Sequence, residues 1–326
     1  MPTRRKVTPL CGLPSACLDD IPAGTIGAVL GAGLALGSPH EGAENAPFFL
    51  RTVSKTLTWS AQVPDLFDLR HAGAPLRGFV DVGDLDFTGM DLPQALVAVE
   101  EAVATLPPEV IPCVIGGDHT LSFAVAQALH RRRQRPFRVV QFDHHLDLQI
   151  WDGAPARPEA ELEPVYHTNV MSHMSRLVGP SNLVQVGVSP YATVEASAID
   201  AMPGYLRAVG EQICVTDPAI EDPDAFLSAV GKGADVYVTV DVDVLDRVEM
   251  RSTAYPAELG LRAHQLLRLV DRVAEHNRLI GFDVVEFGAE RTDRDPQTLA
   301  DSQRVLLIFL HLLSWVHRQS AERLRP

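Results

Sequence analysis

Short apolar runs alternate with amphipathic stretches along most of the chain. The runs VIPCVIGG, FRVVQFD and LIGFDVVEF are apolar at most positions, as in strands that are buried on both faces. Between such runs, residues 92–106 and 121–133 carry apolar side chains at helical spacing. The alternation predicts an α/β fold in which helices cover both faces of a parallel sheet.

The same patterns place the remaining elements and indicate no domain boundary. Further strands are predicted at 79–87, 182–188, 212–215 and 235–244, and further helices at 262–276 and 299–316. Because the chain has neither an internal repeat nor a break in composition, we expect one domain over residues 1–326. Within it we expect an irregular N-terminal arm, 1–23, and a proline-rich insertion, 151–167.

Two apolar segments near the N-terminus invite comparison with targeting signals. Pro9 and Pro14 break the first segment, which disfavours a secretory signal. Residues 21–37 are rich in glycine and shorter than the ~20 residues of a membrane-spanning helix. They are predicted to form the first strand and its turn instead.

Composition narrows the choice of partner and compartment. The chain is 46% hydrophobic and has a formal net charge of −14, which argues against nucleic acid or an anionic membrane as partner and suits a small cationic substrate. The four cysteines, Cys11, Cys17, Cys113 and Cys214, form no CxxC pair. Such usage is typical of a reduced, cytoplasmic protein.

Ionisable residues lie at the carboxyl ends of four of the predicted strands. They are Asp118 and His119 in GGDHT, Asp143, His145 and Asp147 in FDHHLDL, Asp241, Asp243 and Asp246 in TVDVDVLD, and Asp283 and Glu286 in GFDVVE. In a doubly wound sheet, the loops at the carboxyl ends of the strands form the binding crevice. These side chains are therefore expected to meet there.

The number and type of these groups indicate a metal site. If the strands continue through them, Asp143 and His145 project to one face, as do Asp241 and Asp243. Aspartates inside apolar runs are costly to bury unless positive charge compensates them. Two histidines and four aspartates are too many donors for one ion, whereas two divalent ions balance the four carboxylates.

The donor set also indicates which ions and which chemistry to expect. Carboxylate and imidazole donors without thiolate favour Mn²⁺, Ni²⁺ or a similar divalent ion over structural zinc. Two such ions, about 3.5–4 Å apart, can hold a bridging hydroxide near neutral pH. That hydroxide is the expected nucleophile.

The motifs GGDHT, FDHHLD and TVDVDVLD, in this order and at these distances, resemble those of the ureohydrolase family of arginases, agmatinases and formimidoylglutamases. The resemblance implies a three-layer α-β-α fold with a mainly parallel, doubly wound sheet. It also implies a binuclear manganese centre that hydrolyses a guanidino or formimino carbon. The six metal ligands that it implies are His119, Asp143, His145, Asp147, Asp241 and Asp243.

The resemblance extends to the flanking segments and to further roles. Residues 42–51 (GAENAPFFLR) and VDVGDLD look like early segments of the family, and in GFDVVE it is Glu286 that would meet the substrate guanidinium. Asp147 would take a proton from the hydroxide. His167 would bind substrate and deliver a proton to the leaving amine, with His173 as a second choice.

The chain also departs from the family pattern, and these departures concern the substrate. His144 replaces the family's alanine in the second motif, where it would act as a donor behind the ligands or face away. The glycine-rich loop after TVDVDVLD is replaced by RVEMRSTAYPAELGL, in which only Pro256, Gly260 and Leu261 align. A common arginase or agmatinase specificity is therefore in question.

Each candidate also has a structural interpretation. Asp118 would cap the following helix, and Asp246 and Asp283 would be structural carboxylates. Glu286 would form a surface pair with Arg291 or Arg294, and His167 would be an ordinary loop histidine.

The leading hypothesis is a hydrolase that releases urea and an amine from a guanidino group. The alternatives are a formimidoylglutamate-type hydrolase that releases formamide, and an amidinohydrolase of a peptide arginine or a secondary-pathway guanidino compound. An inactive metal-binding relative is the non-enzyme alternative, and the extra ligands disfavour a zinc deacetylase. By family resemblance the chain would form a trimer or hexamer.

Overall fold

The computed structural model describes residues 3–57, 66–71, 75–133, 135–148, 164–189, 213–215 and 222–323. Residues 151–163 of the predicted insertion lie outside these ranges. The strands are β1 (Arg4–Arg5), β2 (Gly27–Gly31), β3 (Phe79–Leu85), β4 (Ile111–Ile115), β5 (Arg138–Phe142), β6 (Leu183–Val188), β7 (Ile213–Val215), β8 (Asp235–Asp241) and β9 (Arg278–Val285). The helices are α1 (Ala46–Ser54), α2 (Leu92–Thr105), α3 (Leu121–Arg133), α4 (Val170–Val178), α5 (Pro223–Val230), α6 (Ala263–His276) and α7 (Pro296–Arg323).

The strands form one mainly parallel sheet, as predicted. Their order is β1-β3-β2-β4-β9-β8-β5-β6-β7, and the pair of β1 with β3 is antiparallel. The strands β4, β9, β8 and β5 are therefore neighbours. Because parallel strands end at the same edge, the loops that follow these four strands meet at one place.

Alternate residues of the central strands face two separate apolar cores. On β8, Val236, Val238 and Val240 pack into the core that contains residues of α1, α6 and α7. Tyr237 points the other way, into the core that contains residues of α2, α3 and α4. Burial on both faces explains the continuous apolar runs and confirms the predicted three-layer arrangement.

The start of the α2 helix follows from its sequence. The side chain of Asp91 accepts the amide N–H of Gln94, and the Gln94 side chain accepts the N–H of Asp91. This reciprocal pair satisfies amide groups that a helix start leaves without partners, and Pro93 in the first turn needs no donor. The helix therefore begins where the sequence pattern places it.

The α7 helix is longer than its predicted span of 299–316. Its segment Pro296–Ala321 is long and apolar enough to cross a membrane by length and composition. However, 67% of its most apolar window is buried inside the protein. Such burial is what a core helix requires, because its apolar faces pack against the sheet and α1.

A buried ion-pair network joins α1 to β3. Arg51 donates from Nη2 and Nε to Asp84 Oδ1, at 2.7 and 3.0 Å, and from Nη1 to Asp81. Asp81 also accepts the amide N–H groups of Leu10 and Gly83. The two early segments that resemble the family therefore contact each other, and the network ties α1 to the sheet.

We expect Arg51→Met to lower the free energy of unfolding by about 3–5 kcal/mol, because it leaves buried carboxylates without a countercharge. Urea denaturation monitored by circular dichroism measures the loss. The matched control is Arg5→Met, since the Arg5 side chain is 52% exposed in its pair with Asp86, and it should leave the free energy of unfolding essentially unchanged. Equal losses in the two variants would contradict a scaffolding role for the buried network.

Candidate metal centre

The turn after β4 brings His119 to the sheet edge. A Cβ atom on Gly117 would lie 1.8 Å from the carbonyl oxygen of Leu34, so only glycine fits there. The carboxylate of Asp118 then accepts the amide N–H groups of Gly37, at 2.8 Å, and Thr120, at 3.1 Å. Asp118 thus holds two loops together at the start of α3, which agrees with its structural interpretation.

His119 is buried with one ring nitrogen facing three carboxylates. Its Nε2 lies 3.0 Å from Thr239 Oγ1. Its Nδ1 lies 3.1 Å from Asp143 Oδ2, 3.0 Å from Asp147 Oδ2 and 3.4 Å from Asp241 Oδ2. Although these oxygens lie close to it, the buried Nδ1 makes no hydrogen bond to them or to any other group within the described ranges. A hydroxyl on one nitrogen and an unpartnered second nitrogen are what a metal-binding histidine requires.

A second group of donors adjoins the first and shares Asp143 with it. His145 Nδ1 lies 3.0 Å from Asp243 Oδ2 and 3.6 Å from Asp143 Oδ1. In the first set, His119, Asp143 and Asp241 each offer a donor atom, and all of these atoms lie within 4.8 Å of one another. The second set, Asp143, His145 and Asp243, meets the same criterion. Two donor sets that share one carboxylate fit two neighbouring divalent ions.

The strand argument that grouped these residues is wrong in its geometry. β5 ends at Phe142, and β8 ends at Asp241, where residues 242–244 form a single 3₁₀ turn instead of the predicted strand. Asp143 Oδ1 accepts the N–H of His145 at 2.6 Å, and Asp241 Oδ1 accepts the N–H of Asp243 at 2.8 Å. Each aspartate therefore makes a turn with the residue two positions later, and this turn brings the two side chains together.

Burial and mutual repulsion govern the protonation of this cluster. Burial, with the charges of Asp243 and Asp143, raises the pKa of Asp241 well above its ordinary value. Burial and then the charge of Asp143 raise the pKa of Asp147 to about 7. For His145, burial acts to lower the pKa, but the bonds to Asp143 and Asp243 outweigh it and raise the pKa to about 12. Divalent cations would supply the positive charge that these protons provide.

Glu286 lies at the same edge, at the end of β9. It is buried, accepts the amide N–H of His119 at 2.7 Å, and donates its own N–H to the carbonyl of Gly117 at 2.8 Å. Because Glu286 is buried, its interpretation as a surface pair with Arg291 or Arg294 is wrong. Arg291 donates to Asn45 instead. Arg294, likewise, donates to carbonyl groups of its own loop.

Two of the candidate residues have strained backbones. The φ angle is 49° at Asp147 and 64° at Glu286. The left-handed region is unfavourable for residues with a Cβ atom, and such strain is often found at functional sites. Holding these two carboxylates at the sheet edge therefore costs conformational free energy.

His167 is part of the cluster, and His173 is not. The His167 ring is buried, and its Nδ1 lies 4.0 Å from Glu286 Oε1. Burial and then the charge of His119 lower the pKa of His167 to about 4. His173 lies on α4, where its ring packs 5.3 Å from that of Phe123.

Of the remaining candidates, His144 contacts the cluster, and Asp246 and Asp283 do not bind its donors. The amide N–H of His144 donates to Asp243 Oδ1 at 3.3 Å, and its buried ring meets His145 edge-on at 5.7 Å. Asp283 accepts the hydroxyl of Tyr237 within the core. Asp246 accepts the N–H of Val248 in its own loop. The structural interpretations of Asp246 and Asp283 agree with these contacts.

Tyr255 and His40 join the cluster, although neither was among the candidate residues of the sequence analysis. The Tyr255 ring lies nearly parallel to that of His167, with an interplanar angle of 16° and centroids 6.2 Å apart. It meets the ring of His145 edge-on at 5.9 Å. Its hydroxyl lies 2.7 Å from His40 Nε2. The only available signal was that Tyr255 occurs in the loop that departs from the family pattern.

A cavity of about 490 Å³ lies elsewhere, beside α1 and β1. Lys6 and Lys55, two of the three lysines in the chain, line it. None of the six candidate ligands does. The chemistry of the side chains, and not the size of a cavity, therefore locates the candidate metal centre.

Comparisons with known proteins identify relatives of this chain. The model of the arginase family matches residues 27–307. A formimidoylglutamase from Halobacterium salinarum is 30% identical over 248 residues, which cover 73% of this chain and 74% of that protein. An agmatinase from Bacillus cereus is 26% identical over 240 residues, which cover 73% of this chain and 76% of that protein.

A solved structure confirms the predicted fold. Proclavaminate amidino hydrolase from Streptomyces clavuligerus matches with a TM-score of 0.71 at 24% sequence identity. The match covers 96% of this chain and 100% of that one.

We expect binding of Mn²⁺ to release protons, because the raised pKa values of Asp241, Asp147 and His145 keep protons on the cluster at pH 7 and a metal binds the deprotonated donors. The affinity should therefore rise with pH between 6 and 8, by about tenfold per unit for each proton released. Calorimetric titrations in two buffers of different ionisation enthalpy count these protons. Identical heats in both buffers, with an affinity independent of pH, would contradict the prediction.

Proposed function

The chain belongs to the arginase family, whose members hydrolyse amidino C–N bonds, and we propose that it hydrolyses a guanidino group to urea and an amine. The observation that carries this proposal is the pair of donor sets that share Asp143. Glu286 adjoins them through the amide of His119. Such a site offers places for two cations and, next to them, for a planar cationic substrate.

We assign two divalent ions, Mn²⁺ by the donor chemistry, to six ligands. The ligands are His119, Asp143, His145, Asp147, Asp241 and Asp243. When bound, such ions supply a water molecule of lowered pKa and positive charge beside the carbon under attack. The hydroxyl of Thr239 orients the imidazole of His119 for this role.

Glu286 holds the substrate guanidinium in this proposal. Its carboxylate is buried and already fixed by one amide N–H of the turn after β4. A guanidinium offers paired N–H donors that match a carboxylate, and the bond is stronger where water is excluded. The strained backbone at Glu286 aims this carboxylate into the site.

Asp147 and His167 carry the protons. Among the four candidate aspartate ligands, Asp147 has the most accessible side chain, at 11% exposed, so we assign it to accept the proton of the attacking water. His167 faces Glu286. Because its lowered pKa keeps the ring neutral, we assign it to shuttle a proton, taking one on one ring nitrogen and giving the one on the other to the leaving nitrogen. The reaction balances as R–NH–C(NH₂)₂⁺ plus water giving R–NH₃⁺ and urea.

The substrate, location and assembly follow from broader properties. The formal net charge of −14 favours a small cationic substrate, and a peptide arginine is the alternative of the same chemistry. We infer cytoplasmic action, in keeping with the free thiols of Cys11, Cys17 and Cys113. A homo-oligomer, trimeric or hexameric, stays a prediction from family resemblance.

A formimino substrate is the second candidate. The similarity of this chain to the formimidoylglutamase from Halobacterium salinarum supports it. The same attack on a formimino carbon would release formamide in place of urea. Separate assays for the two products distinguish these functions.

We expect Mn²⁺-loaded protein to release urea from one member of a panel of arginine, agmatine, guanidinobutyrate, guanidinoacetate, guanidine and an arginine peptide. Asp241→Asn should reduce this release below detection, because it removes a carboxylate donor while preserving the shape of the side chain. Asp246→Asn is the matched control, from the same loop but outside the donor sets, and it should keep wild-type turnover. Release of formamide from formimidoylglutamate, with no urea, would select the second candidate.

We expect His167→Asn to lower kcat by about 10²–10³-fold with a small change in KM, because it removes the proton donor but leaves the guanidinium partner. Added imidazole should restore part of the rate. His173→Asn is the matched control, since His173 lies outside the cluster on α4. A normal rate in the His167 variant would contradict the assignment.

A further inference from the structure

Three residues trace a path from the buried site to solvent. Glu286 is 5% exposed, His167 is 9% exposed and Tyr255 is 43% exposed. His167 contacts both of the others. If Glu286 holds the guanidino group, a substituent that extends toward solvent on the His167 side meets the ring of Tyr255.

Tyr255 is held in place from two directions. Its hydroxyl bonds to His40 Nε2, and the two rings meet edge-on with centroids 4.9 Å apart. Pro256 follows it and restricts its backbone to extended conformations. Because His40 follows β2 and Tyr255 follows β8 in the chain, the bond joins two loops at this side of the site.

The chemistry of these side chains limits what can lie beside them. The phenol ring of Tyr255 and the rings of His145 and His167 offer apolar edges and π faces. Such surfaces favour methylene groups and cations.

We propose that Tyr255, positioned by His40, determines substrate specificity by contacting the carbon chain where it joins the guanidino group. The inference rests on the proposed function and adds the substrate class: a guanidinium bearing an alkyl chain whose first methylene groups lie beside this ring. Tyr255 lies in the loop that replaces the family's glycine-rich segment. The loop that departs from the family pattern is thus the loop that would contact the carbon chain of the substrate.

Equilibrium binding to the Mn²⁺-loaded protein tests this contact with two probes, guanidinium and propylguanidinium. Tyr255→Ala should weaken propylguanidinium about tenfold, since contacts to two methylene groups are lost, and leave guanidinium unchanged. Tyr255→Phe keeps the ring but loses the bond to His40, as His40→Ala does, so both should show smaller losses. Leu259→Ala is the matched control, because Leu259 is an exposed side chain of the same loop, and it should change neither affinity.

Steady-state kinetics give the second measurement. With an alkylguanidine that the wild type hydrolyses, Tyr255→Ala should raise KM by the same factor and change kcat little, which a general disturbance of the site would not do. Equal weakening of both probes, or of neither, would overturn the role of Tyr255 while leaving the proposed function intact. If the wild-type protein binds neither probe, the proposed function and this inference both fail.

Discussion

Buried negative charge at the ends of β4, β5, β8 and β9 is the constraint on which the site depends. The sheet order makes these strands neighbours, and the turns that follow them bring their carboxylates together. Such charge is tolerated only where hydrogen bonds and cations compensate it. Amide donors serve Asp143, Asp241 and Glu286, and the imidazole of His119 lies among the carboxylates. Divalent ions complete the compensation in our account.

The sequence predicted the fold and the six candidate ligands, but neither the turns that bring them together nor the part of Tyr255 and His40. Continuous apolar runs predicted the buried parallel strands, and the order of the motifs predicted which loops converge. The turns at Asp143 and Asp241 were missed, because the apolar pattern does not show at which residue a strand ends. The bond between His40 and Tyr255 spans 215 positions, and a contact so distant in sequence leaves no local pattern.

Scaffold and specificity have separate structural origins in this chain. The close approach at Gly117 and the buried network of Arg51 fix the loops and helices that carry the reactive groups. These depend on packing that tolerates few substitutions. The Tyr255 side chain is more exposed and lies in the divergent loop, where, in our proposal, changes would alter the substrate without disturbing the cluster. A familiar centre can therefore accompany an unfamiliar specificity.

The most direct measurement is anomalous diffraction from crystals of the Mn²⁺-loaded protein, with data on both sides of the manganese edge. Our account predicts two peaks per chain, one among His119, Asp143 and Asp241 and the other among Asp143, His145 and Asp243. Asp143 should lie between the peaks. A single peak, or peaks away from these two donor sets, would contradict it.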